Sequence, residues 1–155
     1  MTLFGTQKAS KGTVDEVAHM IAHYFQSRAM KAEAQALSSA EGYGWWLQQG
    51  SAKVYIFVQE TEGGPVLRIT SPIVTLPPNN QESFMRRLLE INATLSGCAL
   101  SLHQDAVLVV AQRHTQDLDQ AELDELVWTV AYVADFLDDQ LASEFGCKMY
   151  AQTHS

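Results

Sequence analysis

The chain has 155 residues, of which 46% are hydrophobic and 18% charged, the balance of a folded chain with one full-sized core rather than of a disordered segment. Its formal net charge is −8, and all of that charge resides from His114 onward, where nine acids face Lys148 alone. An acidic chain without a basic cluster repels phosphate backbones, which argues against nucleic acid and anionic membrane surfaces as partners.

After a leader expected to be mobile over residues 1–12, Thr13 and Glu16 have the spacing of a capping box. The periodicity of Val14, Val17, Ala18, Ile21, Tyr24 and Phe25, followed by good helix formers from Lys31 to Leu37, predicts a long first helix ending near Ser39. Gly42 and Gly44 are its expected breakers. "WWLQQG" and "AKVYIFVQET" are strand-like in their aromatic and β-branched content, with Gly50 and Ser51 between them.

"ETEGGP" is a turn and "VLRITSPIVTL" returns as a third strand, in which Pro72 must lie at an edge, at an end or in a bulge because it has no amide proton to donate. Pro77 and Pro78 stop that strand. Asn79 or Asn80 then caps a helix, "QESFMRRLLEINATL", with Phe84, Leu88, Ile91 and Leu95 on one face and Gly97 as its stop. "ALSLH" and "AVLVVAQR" form two more strands around a tight Gln104–Asp105 turn. A last long helix begins after Asp117 or Asp119 and ends at Gly146. The expected fold is α+β, a single antiparallel twisted sheet of about five strands packed by three helices in the order α-β-β-β-α-β-β-α, with the domain over residues 13–146 and a tail over 147–155.

Strand two is apolar on both faces, with Tyr55 and Phe57 on one and Val54, Ile56 and Val58 on the other, and Val107 to Ala111 behaves alike. Either helices cover both faces or the second face meets another chain. The last helix has one broad stripe, Leu123, Leu126, Val127, Val130, Ala134, Leu137 and Leu141, wide enough to cover a sheet. Trp128, Tyr132 and Phe136 form a second stripe at i, i+4 spacing. Helix one is the expected cover for it, and a dimer or partner surface is the alternative. Adjacent Trp45 and Trp46 must point to opposite faces of a strand, so one is core and the other is either a candidate anchor for a peptide or covered by a helix or the leader.

The remaining constellations favour plain roles. Glu16, His19 and His23 share a helix face, as metal ligands do, but that face is expected to be solvated. Asp117, Asp119, Asp138 and Asp139 lack a calcium loop and are expected to cap or solvate helices. Cys98, His103 and His114 could contribute to a nucleophilic site, yet nothing nearby activates the thiol. Cys98 and Cys147 are expected to be reduced thiols, and the sequon at Asn92 to Thr94 falls inside a helix. No metal or other cofactor is expected. Without a run of roughly 20 apolar residues, or the charged start and apolar stretch of a signal peptide in "MTLFGTQKASKG", a cytoplasmic location is expected.

The element order, together with "LLEINATLSGCALSLHQDAVLVVAQR" and the acidic, aromatic last helix, resembles the superfamily that unites class I type III secretion chaperones with YbjN-like proteins. The likeness runs over roughly residues 66–145, from a helix ending in an "LLxLN" pattern (here Leu88 to Asn92) through a two-strand hairpin to the long last helix. It implies helices on one antiparallel sheet, a homodimer, no catalysis, and the binding of an extended segment of a partner protein. It carries over no site residues. Surface reasoning alone nominates Trp45, Trp46, Tyr55, Phe57, Trp128, Tyr132 and Phe136 as the partner-binding or dimer surface. The competing expectation is a regulatory domain with a small-ligand pocket between sheet and helices.

Overall fold

The computed structural model describes residues 12–38 and 42–153; the expected leader falls outside them except for Gly12, as do the Ser39 boundary and the last two residues of the expected tail. The capping box is present at the start of α1 (Val14–Gln26): Thr13 Oγ1 accepts from the Glu16 amide at 3.3 Å, and Glu16 Oε2 accepts from the Thr13 amide at 2.9 Å. The helix is only 13 residues long, which corrects the expected end near Ser39. Ala29 takes a left-handed φ of 55°, and the Met30 amide donates back to the Phe25 carbonyl at 2.9 Å, closing the last turn. The stripe of Val17, Ile21, Tyr24 and Phe25 that α1 buries has Arg28 and Gln35 where it would continue. Helix propensity without an apolar face to bury does not hold a helix in water.

Ala32–Gln35 makes one 3₁₀ turn instead, and Ala36–Leu37 becomes a two-residue strand, β1, paired with Trp45 and Gly44. The sheet therefore has six strands rather than about five, in the order β1-β2-β3-β4-β6-β5, every pair antiparallel. β2 (Gly42–Gln49) and β3 (Ala52–Gln59) form a hairpin in which Gln49 pairs with Ala52 around Gly50 and Ser51. Gly50 has φ 54°, as such two-residue turns require. Gly42 and Gly44, expected to break a helix, lie inside β2.

β4 (Val66–Thr75) is interior to the sheet, and Pro72 sits at a register shift between Pro72 and Val74. Pairing with β3 ends at Thr70, so no donor is asked of Pro72 on that side. Ser71 extends the contact by donating its hydroxyl to the Lys53 carbonyl at 2.9 Å.

α2 (Gln81–Asn92) starts after Asn80, as expected, but the Asn80 side chain makes no capping bond. Its φ of 58° departs from the extended conformation that aims a cap side chain at the first amides. The helix also ends before Gly97: Asn92 accepts from the Leu100 amide at 2.7 Å and donates to the Leu100 carbonyl at 3.2 Å, tying the helix end to the next strand. Leu95 lies beyond the helix yet still packs on the core.

β5 (Ala99–His103) and β6 (Ala106–His114) follow, and then α3 (Gln120–Phe145), 26 residues long, begins with a second capping box between Asp119 and Glu122 and stops at Gly146, φ 66°. Beyond it the Thr75 amide donates to the Lys148 carbonyl at 3.0 Å, Met149 bridges Val74, and a short α4 (Tyr150–Thr153) follows.

α1, α2 and α3 lie on one face of the sheet. Val17, Ile21 and Phe25 of α1, Phe84 and Leu88 of α2, and Leu123, Val130 and Leu141 of α3 share one core with Val54, Ile56, Val58, Ile69 and Val74. Burying these side chains is the main stabilising contribution, roughly 1.5–3 kcal/mol for each large one. On the other face Trp46, Tyr55, Phe57, Leu108 and Val110 are half-buried and take no part in that core.

Candidate functional site

α3 is the middle helix of its layer. On one flank it meets α1, where Gln120 Nε2 donates to the Met20 carbonyl at 3.1 Å and Arg28 approaches Asp124 at 3.9 Å. On the other it meets α2, where Arg87 pairs with Glu144 at 3.2 Å and Phe84 stands edge-on to Phe145, ring centroids 5.1 Å apart. Its sheet-facing stripe is buried as expected, with Leu126 half-buried at the margin. That arrangement leaves the side away from the sheet uncovered.

Trp128, Tyr132 and Phe136 occupy it with exposures of 59%, 55% and 61%. The expectation that helix one covers them is overturned, because α1 spends its single apolar stripe on the sheet and reaches only the flank of α3. Trp128 and Tyr132 stack with centroids 5.1 Å apart and planes 11° apart. Beside this ridge runs a groove of about 340 Å³ between α2 and α3, floored by Ile91, Leu95, Val133 and Leu137 and edged by Tyr132, Phe136, Glu90 and Arg87.

The second surface is the sheet face turned away from the three helices. Trp45 is 7% exposed and belongs to the core, which removes it from the nominated surface, whereas Trp46 points outward with the Lys53 ammonium 4.5 Å above its ring. Tyr55 and Phe57 stack at 6.5 Å on the same face.

Three exposed large hydrophobic residues fall outside that set, the first being Tyr43 on β2, 45% exposed. Leu89 on α2 is 70% exposed and lines a hollow with Glu82, Arg86 and Ala93, and Leu102 on the edge strand β5 is 45% exposed. The signal for Leu89 was present: it is the one leucine of "LLEIN" off the buried face of Phe84, Leu88 and Ile91.

The groups weighed for chemistry remain apart. Glu16 serves the capping box, His19 Nδ1 lies 2.7 Å from the Asp15 carbonyl, and His23 is exposed. Among the described residues no group of three or more His, Cys, Asp or Glu is arranged to hold a metal ion. His103 and His114 close opposite ends of the β5–β6 hairpin, and burial pushes the Cys98 thiol up, away from the reactive thiolate. Asn92, the sequon residue, has its amide engaged by Leu100.

Asp138 overturns the expectation of a solvated acid. It is 2% exposed, its Oδ2 lies 2.6 Å from Ser51 Oγ, and its Oδ1 accepts from the Asp139 amide at 2.6 Å. Burial, above all, raises its pKa; the Ser51 and Asp139 hydrogen bonds oppose the rise, and the Asp139 and Asp135 charges add to it. These contacts lock the β2–β3 turn to α3, a structural task.

Between sheet and helices, where a ligand pocket was the competing expectation, Ile56, Ile69, Val74, Phe84, Leu123 and Leu141 are fully buried and fill the space. A hollow of about 490 Å³ lies elsewhere, at the β3–β4 turn near Glu60, Gly64 and His114. No helix is long and apolar enough to cross a membrane among the described residues.

Comparison with known proteins agrees with the fold. The crystal structure of the ExsC–ExsE complex contains a chain that superposes with a TM-score of 0.62 at 15% identity, covering 83% of this chain and 95% of that one. No curated protein matches in sequence. A family model described as "T3SS (YopN, CesT) and YbjN peptide-binding chaperone 1" matches residues 15–153. That match takes in nearly all of the described residues, and the chain belongs to the TY-Chap1 family of non-catalytic peptide-binding chaperones.

Proposed function

We propose that this protein is a cytoplasmic, homodimeric chaperone that holds an extended segment of one partner protein against the α3 ridge and the adjoining groove. The observation that carries the reading is the row of Trp128, Tyr132 and Phe136, each more than half exposed, above an apolar groove. Large aromatics left in water cost free energy unless a partner covers them, and such residues dominate binding energy when it does. The solved relative supports the reading, since its crystal contains ExsC in complex with ExsE. Trp46, Tyr55 and Phe57 on the sheet face offer a second apolar support for the segment. Leu89 and Leu102, on the neighbouring elements α2 and β5, suit the contact with a second copy. Neither nucleic acid nor a membrane is a partner, because the charge is concentrated as acid on and around α3.

The test is capture of partners from source-cell lysate on the tagged protein, beside a Trp128→Ala, Tyr132→Ala, Phe136→Ala variant. One or two proteins held through a flexible segment, and lost by the variant while its fold persists, is the expected result. Equal capture by both forms would remove the ridge from the site. Sedimentation of Leu89→Asp checks the dimer separately: the parent should run as a dimer and the variant as a monomer.

A further inference from the structure

The ridge does more than expose aromatics, because it is bracketed by acid. Glu125 lies one turn before Trp128 and Asp139 one turn after Phe136, both exposed. Neither belongs to the ion pairs among the described residues, which join Arg28 to Asp124, Arg87 to Glu144 and Arg113 to Glu122. Glu90 adds a third carboxylate on the groove edge. Of the nearby cations, Arg87 is held by Glu144, Arg86 shares the hollow at Leu89 with Glu90 and offsets that third carboxylate, and Arg113, which lines a hollow with Glu125, is paired with Glu122, so the bracket rests on Glu125 and Asp139. The stacked Trp128 and Tyr132 also present electron-rich ring faces, on which a guanidinium or ammonium rests favourably. The molecule already uses that contact with two cations: Arg28 lies 3.6 Å above Tyr24, and Lys53 lies 4.5 Å above Trp46 and 5.6 Å from the Tyr55 ring.

We infer that the ridge selects a partner segment with an apolar centre and a basic residue, preferably arginine, at each end. This rests on the ridge being the peptide site and adds what the peptide must carry. The spacing follows from helix geometry: Glu125 and Asp139 are separated by 14 positions on α3 (Gln120–Phe145), roughly 21 Å along its axis, about the reach of six or seven extended residues. An acid at each end also fixes where the segment starts and stops, since a shifted segment takes at least one of its basic residues out of reach of Glu125 or Asp139. Like charges at the flanks are rejected, so the bracket works as a filter as well as an attraction.

The experiment uses three pools of dye-labelled peptides with about five central positions randomised over apolar residues, matched to the spacing above, and both flanks Arg, Gln or Glu. Fluorescence anisotropy against the full chain should rank Arg over Gln over Glu. The Arg advantage should be at least about fivefold and should shrink as salt rises from about 50 mM to about 500 mM. Glu125→Lys with Asp139→Lys, both exposed and therefore safe for the fold, should invert the order. Equal binding of the three pools, lost on Phe136→Ala with Tyr132→Ala, would overturn the charge filter and leave the ridge as the site. Binding unaffected by those alanines, or no binding by any pool, would overturn both.

Discussion

Replacing Asp138 by Asn tests whether the carboxyl that α3 buries against the β2–β3 turn holds a proton. Ser51 Oγ lies 2.6 Å from Asp138 Oδ2 and 3.0 Å from Asp135 Oδ1, and Asp135 Oδ1 also accepts the Ser51 amide at 2.8 Å. One hydroxyl proton cannot serve two carboxylates. The arrangement closes when Asp138 is protonated and donates to Ser51, whose hydroxyl then donates to Asp135. Asparagine supplies a donor at Oδ2 and an acceptor for the Asp139 amide at Oδ1, so it mimics the protonated acid. The sign follows from the direction of the shift. Burial raises the native pKa above the unfolded one, so the contribution of Asp138 is complete below the ordinary carboxylate range and is lost as pH rises through the raised value.

Asp138→Asn should therefore match the parent to within about 0.5 kcal/mol in acid and exceed it above that pKa, by about 1.4 kcal/mol for each pH unit separating native and unfolded pKa. Ser51→Ala strands the buried carboxyl and should cost about 1–3 kcal/mol, more at high pH than at low. Urea unfolding followed by tryptophan fluorescence at a series of pH values gives both comparisons, and groups common to parent and variant cancel in the difference. A difference that stays flat with pH, or a parent that gains on Asp138→Asn as pH rises, would refute the proton count.

Asn92→Ala removes both bonds to Leu100 and should destabilise the protein by about 1–3 kcal/mol, with the Leu100 amide exchanging faster; a loss below about 0.5 kcal/mol would show that the α2–β5 tie is dispensable. Cys147 is 8% exposed and burial pushes its thiol up, so alkylation at neutral pH should proceed only as the fold opens, after the half-buried Cys98 has reacted. Rapid labelling of Cys147 in the native state, read by mass spectrometry, contradicts that order.

Much of the fold was legible because its signals are local. Thr13 with Glu16 and Asp119 with Glu122 mark helix starts through bonds made within four residues, and both capping boxes form. Gly50 and the Pro72 bulge are likewise dictated by one residue's own backbone chemistry. The misreadings came where local preference met a partner far along the chain. Lys31 to Leu37 favours a helix in isolation, yet Ala36 and Leu37 pair with Trp45 and Gly44 across the sheet. Asp138 reads as one more surface acid of α3 until Ser51, 87 residues away, closes over it.

The candidate surface divides the same way. The sequence alone determined that Trp128, Tyr132 and Phe136 share one side of a helix opposite its main apolar stripe, since 3.6 residues per turn admits no other arrangement. It also determined that one of Trp45 and Trp46 faces outward, by the alternation of a strand. Which of the two does so, and whether the ridge meets helix one or solvent, only the tertiary structure decided. Those answers depend on how many helices the layer holds and which flank of α3 each one takes, and these follow from the packing of side chains distant in sequence, which no local periodicity records.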